Sequence, residues 1–246
     1  MTPTPPLATA DQLPTRLADP GFAVLAPSEL AYLVNVPLSD LRAFELSWDD
    51  LPPDLYLRDG GRYRRRRHAC FVVDGERVDA VAHRAHWQPV EYNALHGGLE
   101  RWFEAMAPQL CNSAAWRRLL AGLGQVASAV KGVQPWYVEA HQFRIDTTDG
   151  IGRPTPEGAH RDGVDLVAVL LISRVGIKGG ETRVFDADGP AGSRFTLSEP
   201  WTLLMLDDAL VIHETTPIQP VDPDRHGWRD SLVITLRAGG FQGPPD

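Results

Sequence analysis

The sequence predicts a mainly β protein, a jelly-roll barrel braced on one side by α-helices. Three observations predict it. Past Gly132 the chain breaks into about eight short apolar runs separated by Gly, Pro and Asp turn signals, the pattern of a sandwich or barrel. Before Gly132 the periodicity is helical, most clearly where Trp116, Leu119, Leu120, Leu123, Val126 and Val130 share one face. The 246 residues, with 43% hydrophobic and 23% charged side chains, suffice for one large globular domain.

Taken in order, residues 1–9 are rich in Pro and Thr and read as a loose terminus. Residues 10–17 read as a short helix and 21–25 as a strand. Ser28 and Ser39 serve as N-caps for short helices over 30–34 and 41–46. Pro52-Pro53 marks a loop and Asp59-Gly-Gly61 a turn, after which 62–73 runs as a strand into the Asp74-Gly75 hairpin turn. Alternate strand residues share a face. Tyr63, Arg65 and Arg67 therefore point one way, and Arg64, Arg66 and His68 the other. The stretch 87–96 is irregular, Gly97-Gly98 precedes an amphipathic segment over 99–106, and Ser113 caps the long helix, which packs outside a sheet.

Strand 136–145 has two faces. One carries Trp136, Val138, Ala140, Gln142 and Arg144; the other carries Tyr137, Glu139, His141, Phe143 and Ile145. Because the first face begins apolar, the expectation is that it lines an interior cavity with Gln142 and Arg144, and that His141 points away. Residues 147–158 form a polar loop, and 164–172 is a nearly continuous apolar strand buried on both sides. Short strands follow at 181–185, 195–197 and 201–206, then 209–217 carrying His213, and a last strand at 229–237. Helical support elements thus fall mostly within 10–131 and the barrel mostly within 133–240 of a single domain spanning 1–246.

Composition narrows the function. A formal net charge of −8 argues against nucleic acid as a partner, with Arg64-Arg-Arg-Arg67 the one basic run. Two cysteines, Cys70 and Cys111, with no C-x-x-C, argue against a disulfide framework or structural zinc. With no signal-peptide pattern and no apolar run of about 18 residues, the expectation is a cytoplasmic protein without a membrane partner, as monomer or homodimer.

The chemistry sits in the barrel half. His160 and Asp162 lie at the loop entering the buried strand, and His213 ends the apolar run Leu210-Val-Ile212. Each alone is more often an ordinary surface or core residue. Together, two imidazoles and one carboxylate occupy one face of an octahedral Fe(II) and leave three positions open. On the last strand Arg229 and Ser231 share a face with Val233 and Thr235, while Leu232, Ile234 and Leu236 pack outward. A buried arginine on an inner face needs an anion. Its fork takes a carboxylate through two charge-assisted hydrogen bonds, and Ser231 adds a third.

With His160, Asp162 and His213 as H-x-D…H, and Arg229 and Ser231 as R-x-S, the chain resembles the Fe(II)/2-oxoglutarate-dependent dioxygenases. The fold this implies is the double-stranded β-helix, a cupin-like barrel. The stretches His141-Gln-Phe-Arg144, Pro156-Glu-Gly-Ala-His-Arg-Asp-Gly163, Gly179-Gly-Glu-Thr182, Thr215-Thr-Pro-Ile218 and Arg229-Asp-Ser-Leu-Val233 are similar to a bacterial group of free amino-acid hydroxylases. That group includes L-isoleucine 4-hydroxylase and pipecolic and other imino-acid hydroxylases, and the similarity spans roughly residues 55–240.

The resemblance implies Fe(II), 2-oxoglutarate and O2 as cofactors, with 2-oxoglutarate chelating the iron through its C1 carboxylate and keto oxygen. It implies hydroxylation of an unactivated C–H bond of a free amino acid or cyclic imino acid, with succinate and CO2 as co-products, in a natural-product pathway. Related halogenases lack the carboxylate ligand; Asp162 is present, which favours hydroxylation. A zwitterionic substrate needs an anion-binding group, for which Arg144 is the candidate and Arg65 and Arg67 are rivals. It also needs an acceptor for its amine, for which Glu157 and Asp165 are candidates against the plainer reading of ordinary loop and strand-edge carboxylates. Gln142 is placed to touch either the 2-oxoglutarate or the substrate. The alternatives are the same mechanism on a carrier-bound, peptidyl or other small-metabolite substrate, and a non-catalytic metal-binding jelly roll.

Overall fold

The computed structural model describes residues 3–93 and 95–244. The strands are β1 (Leu7–Ala8), β2 (Phe22–Leu25), β3 (Arg64–Asp74), β4 (Arg77–Ala80), β5 (Trp136–Asp146), β6 (Leu166–Val175), β7 (Ile177–Gly179), β8 (Thr182–Asp186), β9 (Gly192–Phe195), β10 (Leu203–Asp207), β11 (Val211–Thr215), β12 (Ile218–Pro220) and β13 (Trp228–Ala238). The helices are α1 (Leu13–Ala18), α2 (Pro27–Val34), α3 (Leu38–Arg42), α4 (Pro108–Cys111) and α5 (Ala114–Lys131).

Eight strands form a major sheet in the order β1-β2-β10-β6-β13-β5-β3-β4. Facing it are the small sheets β11-β8-β9 and β12-β7. This is the double-stranded β-helix, with the helices on the outer face of the major sheet. Among the described residues, no helix is long and apolar enough to cross a membrane.

α5 shows why the helices sit there. Ser113 accepts a hydrogen bond from the Trp116 amide at 3.1 Å, satisfying one of the orphan donors of the first turn. Trp116, Leu119, Leu120, Leu123 and Val126 then form a buried stripe. They join Phe71, Val73, Val138, Ala140, Ile234 and Leu236 of the sheet in one apolar core. Gly124 lets helix and sheet approach closely: a Cβ there would lie 2.7 Å from Val73 Cγ1. A second apolar cluster, including Val24, Val167, Leu171, Val184, Phe195 and Leu206, closes one end of the space between the sheets. The rest of that space is a cavity.

The register assigns the faces of β5 and corrects the expectation for them. Leu232 lies opposite Gln142, and Ser231 opposite Phe143. Residues directly opposite each other share a face, so Gln142 goes with Leu232 to the helical side. Trp136, Val138 and Ala140 are apolar because they pack against helices, which is the dry side. The cavity is lined by the other face, His141 included. Two further expectations are revised. Leu7 and Ala8 pair in parallel with β2, so the terminus is anchored from there. The segment 99–106 runs extended, pairing Arg101 with His86 and Ala105 with His68; its alternation buries Arg101 and Phe103.

Replacing the α5 cap tests this packing. Ser113→Ala is expected to cost about 1 kcal/mol and to lower Tm by roughly 2–4 °C in a thermal melt.

Candidate active site

The loop between β5 and β6 carries His160 and Asp162, and β11 carries His213. The two histidines are joined by a backbone bridge, His160 N to His213 O at 3.0 Å and His213 N to His160 O at 2.9 Å. Their rings are 4.7 Å apart. Asp162 Oδ1 lies 3.9 Å from His160 Nε2, and its Oδ2 lies 3.8 Å from His213 Nε2. The three residues each offer a donor atom within 4.8 Å of the others.

Asp208 sets the loop. Its carboxylate accepts hydrogen bonds from the amides of Asp162 (2.9 Å), Gly163 (2.7 Å) and Val164 (3.1 Å). Gly163 has a φ of +75°, and a Cβ there would lie 2.4 Å from the Tyr92 ring, so only glycine fits. His160 Nδ1 donates to the Gly158 carbonyl at 2.9 Å, leaving Nε2 bare toward Asp162. Gln88 Nε2 donates to Asp162 Oδ1 at 3.1 Å. Burial works against the charged form of His160, but the Asp162 and Glu157 carboxylates outweigh it and raise its pKa. Burial, reinforced by the neighbouring His160, pushes His213 down to about 3. Two imidazoles with inward Nε2 atoms and one carboxylate are the donor set that suits Fe(II).

From β13, Arg229 and Ser231 face the same cavity. Arg229 is 4% exposed, and among the described residues no acidic side chain pairs with its guanidinium. Burial, with Arg174 nearby, pushes its pKa down to about 10, so it stays charged at neutral pH. The cavity is about 1070 Å³ including its mouth.

The other residues singled out in the sequence separate clearly. Glu157 lines the cavity, with Oε1 3.6 Å from His160 Nε2. The structure places the rest elsewhere. Gln142 lies behind the sheet and donates to Ser47 Oγ at 2.7 Å. Arg144 pairs with Asp230 at 2.7 Å and Asp49 at 3.2 Å. Arg65 faces Asp146 at 3.6 Å, and Arg67 pairs with Glu104 at 3.0 Å. Asp165 accepts from the Ala238 amide at 2.8 Å, a strand-edge role. In their place the cavity receives Arg64, Arg66, His86, Arg101, Glu139 and His141. Strand alternation carried the signal for Arg64, Arg66, Glu139 and His141. Gln88 lies in an irregular stretch, and Arg101 in a segment that reads as amphipathic but runs extended.

Fold and site together give a jelly roll whose cavity gathers a His-Asp-His group able to hold a metal and a buried arginine without an acidic partner among the described residues. Residues 45–235 match the model of the 2OG-Fe dioxygenase family, and the chain belongs to that family. Membership brings Fe(II), 2-oxoglutarate and O2 as cofactors. The chain is 50% identical to a BsmA homologue from Methylobium petroleophilum, whose crystal structure superposes with a TM-score of 0.93 over 100% of this chain and 99% of that one. IDO from Bacillus thuringiensis is 15% identical, with a TM-score of 0.74 over 95% and 97% of the two chains. The Fe(II)/α-ketoglutarate-dependent dioxygenase TqaL is 19% identical, with a TM-score of 0.72 over 96% and 90%. At these identities the last two show a shared fold. No curated protein matches.

Asp208→Asn takes away one of the acceptors that set the Asp162 loop. The expected result is a metal affinity lower by about 10–100-fold, read by titrating the apoprotein with Fe(II) under nitrogen.

Proposed function

We propose that the chain is an Fe(II)- and 2-oxoglutarate-dependent hydroxylase of a free amino acid or cyclic imino acid. The observation that carries this reading is Arg229, a buried guanidinium without an acidic partner on the wall of the cavity that holds His160, Asp162 and His213. A site built only for a metal leaves that cation uncompensated. A dicarboxylate compensates it.

In this reading His160 Nε2, His213 Nε2 and an Asp162 oxygen hold the iron, which when bound supplies the coupling of O2 to 2-oxoglutarate decarboxylation and C–H hydroxylation. The protein does the rest. Gly158 O and Gln88 Nε2 orient His160 and Asp162. The Arg229 fork takes the distal carboxylate of 2-oxoglutarate, and the Ser231 hydroxyl donates a further bond. Ile145, Val169 and Val233 line the same cavity and exclude water from the co-substrate's methylene carbons. The end of the cavity carrying Arg66, Arg101 and Glu139 is left for the substrate. Its density of buried charge suits a small charged molecule. Asp162 fills the position that a halide would need, which favours hydroxylation.

Succinate formation from 2-oxoglutarate and Fe(II), with gain of one oxygen by the substrate, is expected for at least one member of an amino-acid and imino-acid panel. His160→Ala and Asp162→Ala are expected to fall to background; full activity in either sinks the assignment. Arg229→Gln is expected to weaken 2-oxoglutarate binding by about 10–100-fold, measured by calorimetry.

A further inference from the structure

Higher along β13 than Arg229, Thr235 is paired with Glu139 of β5. The two levels are roughly 20 Å apart along the strand at a strand's usual rise. Glu139, His68, His86 and His141 form a buried cluster there, and Glu139, His86 and His141 line the cavity. Glu139 Oε2 is its hub. It accepts from His86 Nδ1 and lies 3.5 Å from His68 Nε2 and 3.6 Å from His141 Nε2.

Four such donors within 4.8 Å of one another invite a metal, but the proton positions refuse it. Arg66 Nη2 donates to His141 Nδ1 at 2.7 Å. An arginine has no acceptor to offer, so Nδ1 is the bare nitrogen of His141 and the proton sits on Nε2, facing Glu139. Coordination through Nε2 would strip His141 of both ring protons. The cluster is instead one carboxylate that accepts from His86 and faces the Nε2 atoms of His68 and His141. Burial drives the three histidines toward the neutral form, His86 down to about 4. Burial opposes ionisation of Glu139, but its imidazole neighbours, His86 first, outweigh it and hold the carboxyl below the usual carboxylate range.

Among the described residues, Glu139 and Arg101 at this end have no oppositely charged carboxylate, arginine or lysine within ion-pair distance, while Arg64 and Arg66 share one carboxylate. Asp54 takes Arg64 at 2.7 Å and Arg66 at 3.8 Å. Glu139 Oε1 is buried with no hydrogen bond, and among the described residues no arginine or lysine lies within ion-pair distance of Glu139. Arg101 is 2% exposed. Its Nη2 donates to Gln88 Oε1 at 2.8 Å, and its Nε has no partner. Gln88 in turn donates to Asp162, so Arg101 stands one side chain from the metal triad. Uncompensated buried charges of opposite sign that do not touch each other are complementary to a zwitterion.

We propose that Glu139 receives the protonated amine of the substrate and Arg101 its carboxylate, so that the site selects molecules with a free amine over N-acylated, peptidyl or carrier-bound ones. This assignment deepens the hydroxylase reading and rests on it. The histidines are positioning residues that keep Glu139 ionised and oriented.

The test is calorimetric titration of the chain loaded with Fe(II) and 2-oxoglutarate under nitrogen. The probes are L-leucine, L-isoleucine, L-proline and L-pipecolate, with N-acetyl-L-leucine and 4-methylpentanoate as partners lacking the charged amine. At least one free amino or imino acid is expected to bind, and the two partners to bind at least about tenfold more weakly than L-leucine. Glu139→Gln is expected to weaken the amino acid by about 10–100-fold while leaving 2-oxoglutarate binding unchanged, which also reports that the variant is folded. Glu139→Asp, keeping the charge, is expected to recover part of the loss. Equal amino-acid binding by Glu139→Gln overturns the proposal. So does tight binding of N-acetyl-L-leucine, or no amino-acid binding by a chain that still binds 2-oxoglutarate. A second equivalent of Zn(II) bound by the wild-type chain and lost in His141→Gln overturns it in favour of a metal cluster. Failure of the wild-type chain to bind 2-oxoglutarate strikes the hydroxylase reading instead, and the amino-acid titrations then still decide Glu139.

Discussion

The structure depends on the division of one eight-stranded sheet into a dry face and a wet one. β3, β5 and β13 each alternate between the two. Val138, Ala140, Leu232 and Ile234 turn to the helices, and Glu139, His141, Arg229 and Ser231 turn to the cavity. The dry face supplies the burial that stabilises the fold. Its rigidity holds the wet face's side chains in place, because neighbouring residues on one strand cannot turn independently.

Putting so many polar groups inside a barrel is costly unless each finds a partner. Most do. Asp54 serves Arg64 and Arg66, Asp208 serves three loop amides, and Glu139 Oε2 gathers three histidines. Among the described residues, the groups that line the cavity with buried, unpartnered polar atoms include Arg64, Arg66, Arg101, Glu139 and Glu157, and Arg229 has no acidic partner. Closure of the barrel and assembly of the triad are also one event, since the His160–His213 bridge ties the β5–β6 loop to the small sheet.

Much of this was legible in the residues. H-x-D with a distant second histidine, and R-x-S beside an apolar alternate face, pointed to the grouping of His160, Asp162 and His213 and to the inward turn of Arg229. Alternation failed at Gln142, Arg144, Arg65 and Arg67 for a specific reason. It sorts a strand's residues into two sets without saying which set meets water-filled space, and an apolar start on β5 was the mark of the helical side. Asp165 was a plausible amine acceptor until its oxygen was found capping the Ala238 amide. Gln88 comes from irregular chain and Arg101 from a segment that reads as amphipathic but runs extended, so their convergence on Asp162 had no trace in the sequence.

By itself, then, the sequence determined the class of fold and which residue types, His160, Asp162, His213, Arg229 and Ser231, come together on one cavity, because those depend on local period and on spacings within single strands and loops. Only the tertiary structure decided which face of β3 and β5 looks into the barrel. That choice is made by cross-strand register, Leu232 opposite Gln142 and Ser231 opposite Phe143, and register is a property of two strands distant in sequence.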